Sequence, residues 1–289
     1  MNVGVVGAGA MGMGVVRSLL RGGFATHVRD LRRESHDEAQ RLGATCHANA
    51  AALAHACDVV VVLVVDSAQI EDVLFGRDGI AGSGARPTLL LGSTIAPADA
   101  LSFAERLANA GVTAIDAPVS GGPERASDGT MTVMLAGPQA SIDACGAILR
   151  AIAGKVFVVG TRAGDAAKFK IVNNMLAGAN LAAAGEAMAI AERAGLDLRL
   201  VHDVIAASSG ASWMFGNRIP RALDNDFAPR AATRILCKDV GLAVDLARDV
   251  GVDAAMARTA HAAFKAAVDA GYGEQDDAAM VEWNRKRDA

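Results

Sequence analysis

Three short stretches of the chain combine residue types that do chemistry with spacings that let them act together. The tract Lys170-Ile-Val-Asn173-Asn174 puts an amine and an amide four positions apart. On a helix that spacing shares one face, with the second amide beside it. A lysine and two asparagines in an otherwise apolar helix are costly to bury without partners, and a lysine so placed can exchange a proton with a hydroxyl group. On the residues alone, a snorkelling lysine with amides that join helices is the competing account. Lys168, two positions earlier and about 200° around the helix, should face elsewhere. The second stretch, Asp116-Ala-Pro-Val-Ser120-Gly121-Gly122-Pro123, offers bare backbone N–H groups and one hydroxyl. That suits a carboxylate, although an ordinary glycine-rich turn fits the same residues. The third, Lys238-Asp239, reads on its own as a surface charge pair.

A fourth motif lies at the N-terminus. Gly7-Ala8-Gly9-Ala10-Met11-Gly12 sits where an apolar strand turns into a helix, the context that makes a GxGxxG match specific for a dinucleotide. Gly7 permits the tight turn, Gly9 leaves no Cβ between backbone and pyrophosphate, and Gly12 lets helix and strand pack closely. The helix N-terminus adds free N–H groups and a partial positive charge. Asp30 ends the second strand, 18 residues beyond Gly12, where a carboxylate can bond the adenosine ribose hydroxyls and repel a 2′-phosphate. That favours NAD. Arg29, Arg32 and Arg33 could hold a phosphate or form a solvated loop, so NADP stays open.

The elements that must position these residues follow from the hydrophobic pattern. Up to about residue 160, short apolar runs alternate with helical periods. Strands are expected at 3–6, 25–29, 59–64, 88–91, 113–116, 131–136 and 155–159, and the 59–64 strand should be buried on both faces. Helices are expected at 11–21, 34–43, 67–75, 97–110 and 140–151. This alternation implies an α/β fold, a Rossmann-type doubly wound, mostly parallel sheet. After Gly160 the strand pattern stops. Asp165 to Ala194 contains no proline and should form one helix of roughly 45 Å, apolar on several sides. Further helices are expected near 197–207, 212–223, 230–250, 253–270 and 275–284. The chain thus divides into a nucleotide-binding domain, 1–162, and an all-α domain, 163–289, joined by the long helix.

Together the GAGAMG turn, the DAPVSGGPERASDGTMTVMLAG stretch, the KIVNN helix and the late KD pair resemble the β-hydroxyacid dehydrogenase family, which includes the 3-hydroxyisobutyrate dehydrogenases. The resemblance covers nearly the whole chain. It implies hydride transfer between NAD(P) and a small 3-hydroxy acid or its semialdehyde, with 3-hydroxyisobutyrate, tartronate semialdehyde and threonate among the candidates. It implies that Ser120, Gly121 and Gly122 hold the substrate carboxylate, that Lys170 transfers the proton, that Asn174 binds substrate, and that Lys238 lies by the nicotinamide. The cofactor positions it implies are Gly7 to Gly12, Asp30, Leu63, Val64 and Thr94. Members commonly form homodimers or homotetramers. Val65, Leu91 and Ala231 depart from the family pattern, where proline, aspartate and phenylalanine are frequent; this weakens transfer of substrate identity.

For the forward reaction Lys170 must be neutral part of the time, and burial beside a second ammonium would favour that form. An imine reductase or a non-catalytic NAD(P) sensor on the same fold are the alternatives, and the former generally lacks this lysine. The larger helical domain of decarboxylating 6-phosphogluconate dehydrogenases exceeds what remains after residue 162. None of His27, His36, His47, His55, His202 and His261 lies in a motif, and all are expected at the surface or in caps. The acidic residues suggest no metal. A net charge of −4 disfavours nucleic acid as partner. Cys46, Cys57, Cys145 and Cys237 show no ligand spacing and fit buried or incidental thiols of a reducing cytosol. The apolar run 59–65 is too short to span a bilayer. Trp213, Met214 and Phe215 fit either a pocket wall or a core.

Overall fold

The computed structural model describes residues 1–287. The chain forms two compact units, Met1–Lys170 and Ile171–Ala289. Residues 288 and 289, at the end of the expected helical domain, lie outside the described residues.

The first unit contains β1 (Asn2–Val6), α1 (Ala10–Arg21), β2 (Ala25–Arg29), α2 (Arg33–Arg41), β3 (Thr45–Cys46), α3 (Ala50–Ala56), β4 (Val59–Val62), α4 (Ser67–Phe75), β5 (Thr88–Leu91), α5 (Pro97–Asn109), β6 (Ala114–Asp116), β7 (Val119–Ser120), α6 (Gly122–Asp128), β8 (Met131–Ala136), α7 (Gln139–Ala144), α8 (Gly146–Ile152) and β9 (Ala153–Gly160). Among the described residues the strands form one sheet in the order β3-β2-β1-β4-β5-β6-β8-β7, with β9 on β8. The pairings from β3 to β6 are parallel. β8 then runs antiparallel to β6 and β7. The four valines of β4 show why the sheet is doubly wound. Val59 and Val61 pack into one core cluster with α1 residues Val15, Val16 and Leu19. Val60 and Val62 pack into the opposite cluster with Ile70, Leu74, Phe103 and Leu107. Each such side chain contributes about 1.5–3 kcal/mol by leaving water.

Register aligns the carboxyl ends. Val6 pairs with Arg29 and Val62, Val62 with Leu91, and Leu91 with Asp116. Five strands therefore stop on one line, and the loops that leave them share one edge. The expected strand to residue 64 stops at Val62, which frees Leu63 and Val64 for that edge.

The long helix α9 (Asp165–Arg193) passes from the first unit into the second. The second unit adds α10 (Leu198–Ala206), α11 (Trp213–Leu223), α12 (Thr233–Asp249), α13 (Ala255–Ala267) and α14 (Ala279–Lys286). Its core joins Leu181, Met214, Val240, Phe264, Met280 and Trp283, with a second cluster around Met188, Phe215 and Ile219. Met214 and Phe215 are thus core residues, whereas Trp213 is exposed. Burial of α9 on several sides is not realised: Ile171, Leu181 and Met188 are buried, but Phe169, Val172, Leu176 and Ile190 are exposed. The expected helix over 140–151 is two helices, broken at Cys145. The expected helix over 253–270 ends at Ala267 in a wider turn that reverses at Gly271, φ 92°.

The glycine turn is fixed by contacts that no side chain would permit. A Cβ on Gly12 would lie 1.9 Å from the Gly7 carbonyl oxygen, and one on Gly7, at φ 89°, 2.4 Å from that of Leu63. Both obstacles are backbone and cannot swing aside. Gly12→Ala is expected to cost about 3 kcal/mol and to abolish dinucleotide binding, read by thermal unfolding and by cofactor titration. Near-native melting and binding would contradict this packing.

Candidate active site

The sheet edge gathers the cofactor candidates of the first unit. Gly7 N–H donates to Arg29 O at 2.9 Å, and Leu63 N–H to Val6 O at 2.8 Å, so the turn lies between the exits of β2 and β4. Gly9 caps α1 at φ −69°. The space its missing Cβ would face is open except for Arg32 Nη2 at 3.6 Å. That opening, at a helix N-terminus and beside a carboxylate, fits the pyrophosphate and adenosine ribose of a dinucleotide. Beyond it, Val64 N–H donates to Ser93 Oγ at 3.0 Å, which ties the β4 exit to the half-buried Thr94 that follows.

Asp30 is already engaged. Its Oδ2 accepts Ala8 N–H at 2.7 Å, and its Oδ1 accepts the Arg32 backbone N–H at 2.8 Å and Arg32 Nε at 3.1 Å. Burial alone would raise the carboxyl, but the bonds from Arg32 and from Ala8 outweigh it and hold Asp30 below the usual carboxylate range. Arg32 Nη2 also donates to Ala8 O at 3.2 Å. Of the three arginines in this region, Arg32 is therefore the one that leans over the glycine turn.

The Ser120-Gly121-Gly122 segment leaves β7, where Ser120 pairs with Thr132. Gly121 and Gly122 take φ of 135° and 75°, and no atom lies within 4 Å of a Cβ built on Gly122. The segment is not a plain loop, because α6 begins at Gly122.

Asp116, named in the sequence only as the start of this stretch, is buried and joins two elements. Its Oδ2 accepts N–H bonds from Gly164 at 2.8 Å and Ala167 at 3.0 Å, so the end of β6 caps the N-terminus of α9. Lys170 follows on the next turn, 8% exposed. Lys168 faces solvent and pairs with Asp165 at 3.0 Å.

In the second unit, Asn174 and Asp239 are both buried. Asn174 Nδ2 donates to Asp239 Oδ2 at 2.6 Å, and Lys238 Nζ to Asp239 Oδ1 at 2.7 Å. The Lys238-Asp239 pair is thus not a surface charge pair, since its carboxylate points inward to an amide. Asp276, fully buried, accepts N–H bonds from Arg230 at 2.9 Å and Ala231 at 3.1 Å and fixes the entry into α12, which carries Lys238. Arg218 makes a bidentate pair with Asp277.

Two models of known families cover the chain. One, the NAD binding domain of 6-phosphogluconate dehydrogenase, matches residues 2–160. The other, the NAD-binding region of NADP-dependent 3-hydroxyisobutyrate dehydrogenase, matches residues 151–284. An L-threonate dehydrogenase of Cupriavidus necator is 44% identical over 97% of this chain and 95% of its own. The crystal structure of a 3-hydroxyisobutyrate dehydrogenase from Salmonella typhimurium shares 40% identity, with a TM-score of 0.91 over 98% of this chain and 99% of that one. The chain belongs to the 3-hydroxyisobutyrate dehydrogenase family. A more distant member of the same architecture, a complex of Psf3 with NADP+ and 2-OPP, shares 28% identity, with a TM-score of 0.90 over 97% of this chain and 99% of that one.

As a family member the chain is an NAD(P)-dependent oxidoreductase of hydroxy acids. Among the described residues no helix is long and apolar enough to cross a membrane, and no group of three or more His, Cys, Asp and Glu is placed to hold a metal ion. The histidines are not all surface or cap residues: His27 Nδ1 and His47 Nε2 lie 2.9 Å apart between half-buried rings, and His202 stacks on Phe215. Burial pushes the Cys57 thiol up to about 12 and that of Cys145 to about 11. Sequence reasoning named Asp116 and Asp239 within motifs but gave neither carboxylate a buried partner, and it missed Asp276. A lone aspartate carries no spacing signal; only the fold reveals which backbone N–H groups it meets.

Asp116 yields a test. Burial, against the pull of its N–H donors, raises its carboxyl to about 6, whereas an unfolded aspartate titrates near ~3.9. The folded state therefore binds a proton more readily in that window, and stability falls as pH rises through it. Between pH 5 and 7 the native protein is expected to lose about 1 kcal/mol more than Asp116→Asn, measured by urea unfolding at each pH. Parallel pH profiles for the two proteins would refute the assignment.

Proposed function

We propose that this enzyme oxidises a short polyhydroxy acid of the L-threonate type, with Lys170 as the proton-transfer residue. The observation that carries the reading is the burial of Lys170 on α9, one turn beyond the segment that Asp116 caps. A buried lysine on a continuous helix is held in one place, and a fixed amine can serve as general acid and base toward a hydroxyl within hydrogen-bond reach. The substrate class draws on the 44% identity to a relative named L-threonate dehydrogenase. Threonate has hydroxyl groups on every carbon beyond its carboxylate, whereas 3-hydroxyisobutyrate carries a methyl branch.

In this reading Ser120, Gly121 and Gly122 bind the carboxylate, Asn174 orients the reacting carbon, and Lys238 lies by the nicotinamide. Lys170 takes the hydroxyl proton as the carbonyl forms, and returns it in the reverse direction. The dinucleotide, when bound, accepts or donates the hydride. Gly7, Ala8, Gly9, Ala10, Met11 and Gly12 hold its pyrophosphate, while Leu63, Val64 and Thr94 line the nicotinamide side. The exposed apolar residues Phe169, Val172, Leu176 and Ile190 support a homodimer or homotetramer, and the unpaired thiols are in keeping with a cytoplasmic location.

Lys170→Ala is expected to lower turnover by at least about a thousandfold, within the range ascribed to a general acid–base residue, and to leave cofactor affinity within about twofold. A panel containing L-threonate, 3-hydroxyisobutyrate, 4-hydroxybutyrate and L-serine, followed at the NADH absorbance band, tests the substrate. Near-normal turnover in the variant would end the lysine assignment, and preference for the methyl-branched acid would end the threonate assignment.

NAD is the proposed preferred cofactor, because Asp30 stands where a 2′-phosphate would lie. Arg32, by neutralising part of that charge, keeps NADP acceptable. Asp30→Ala is expected to weaken NAD about tenfold, the loss of roughly one charge-assisted hydrogen bond, and to shift preference toward NADP. Arg32→Ala is expected to sharpen preference for NAD. Unchanged NAD to NADP ratios of kcat/KM in both variants would contradict this arrangement.

A further inference from the structure

The carboxylate of Asp239 has no role in the scheme above, yet it touches two of the residues that do. It is 4% exposed. Its two oxygens are divided between Asn174 Nδ2 at 2.6 Å and Lys238 Nζ at 2.7 Å. Asn174 is 7% exposed, and its other end is also held, with Oδ1 accepting from Asn173 Nδ2 at 3.0 Å.

A primary amide has two ends of nearly equal shape and opposite hydrogen-bonding sense. A neutral neighbour such as another amide accepts either end. An ionised carboxylate only accepts, so it selects the NH2 end and refuses the oxygen. Asp239 therefore fixes which way round the Asn174 amide sits, and Asn173 adapts to that choice by donating to the oxygen that remains. Nδ2 carries two hydrogens, and Asp239 takes one. Lys238 supplies the counter-charge that a buried carboxylate needs.

We propose that Asp239 is a positioning residue for the hydroxy-acid reaction: by holding one Nδ2–H it orients Asn174 to offer the other as a donor to an oxygen of the acid. This rests on the reading given under Proposed function. Asn174 meets the substrate as a donor, never through its carbonyl. In this scheme Asp239 acts through the amide that it holds.

Two variants test it. Asp239→Asn removes the acceptor-only character, and Asp239→Glu keeps the charge and the Lys238 partner but moves the oxygens by one methylene. Each is expected to lower kcat/KM for the acid at least tenfold, with KM for the dinucleotide within about twofold of the parent. In an Asn174→Ala background Asp239→Glu, which keeps the Lys238 pair, is expected to cost less than about threefold, because the residue through which it acts is gone. A folded variant with parental kcat/KM for the acid would overturn the proposal, as would an undiminished effect in the Asn174→Ala background. A second readout does not depend on turnover. In the 15N spectrum of the parent, one side-chain amide proton of Asn174, assigned by its loss in Asn174→Ala, is expected to exchange slowly with solvent. It is expected to exchange fast in Asp239→Glu. Fast exchange in the parent would overturn the proposal. If the parent oxidises no acid in the panel, the functional reading fails, and the amide measurement still decides whether Asp239 holds Asn174.

Discussion

Two N–H bonds to one buried carboxylate set much of the geometry of the first unit. Asp116 ends β6, in register with Leu91 and through it with the whole parallel sheet, and its Oδ2 accepts the amides of Gly164 and Ala167. The helix that carries Lys170 is thereby started at a point dictated by the sheet. The same residue is the first of the stretch that leads to Ser120, Gly121 and Gly122. The start of one tract is thus tied by hydrogen bonds to the residue from which the other leaves the sheet. Its cost is the desolvation of a charge, visible in the raised pKa and offset in part by the free amides of the helix terminus.

The second unit solves a different problem. Its helices pack mainly through Ala, Leu, Met and Val, which gives close contact but little direction. Direction comes from buried carboxylates that each satisfy several donors. Asp276 holds the chain at Arg230 and Ala231, Asp277 holds Arg218, and Asp239 holds Asn174 and Lys238. Buried polar groups are costly unless satisfied, and these lie at the entry to α12, along its buried face, and between α11 and the start of α14.

Much of this was legible in the sequence. The strands of the parallel sheet are short apolar runs without competitors, and they appear where the runs predict. So does α9, whose 29 residues contain no proline. What stayed hidden was short or contextual. β3 and β7 are two residues each, below what alternation can signal. α6 was obscured by Gly121, Gly122 and Pro123, which read as a turn although proline suits a first helical turn. α3, rich in alanine, has no strong period. The antiparallel course of β8 depends on pairing partners far away in the chain. Among site residues, the glycine turn and the Ser-Gly-Gly segment announce themselves because glycine at fixed spacing has few other uses. Asp239 did not, because an aspartate beside a lysine is ordinary until its carboxylate is seen to turn inward.

The uninterrupted α9 also limits how the sequence could diverge. Lys170 and Asn174 are tied by helical arithmetic, at about 100° and 1.5 Å per residue. A single residue inserted between them would swing the amide a quarter-turn away from Asp239 and could not be absorbed by local slack, since no loop intervenes. Insertions and deletions in descendants of this gene should therefore be purged from that tract. They should accumulate instead where the chain already bends, between α9 and α10 or beyond Gly271, and the length of the interval from Ala167 to Asn174 becomes as much a part of the inheritance as the residues at its ends.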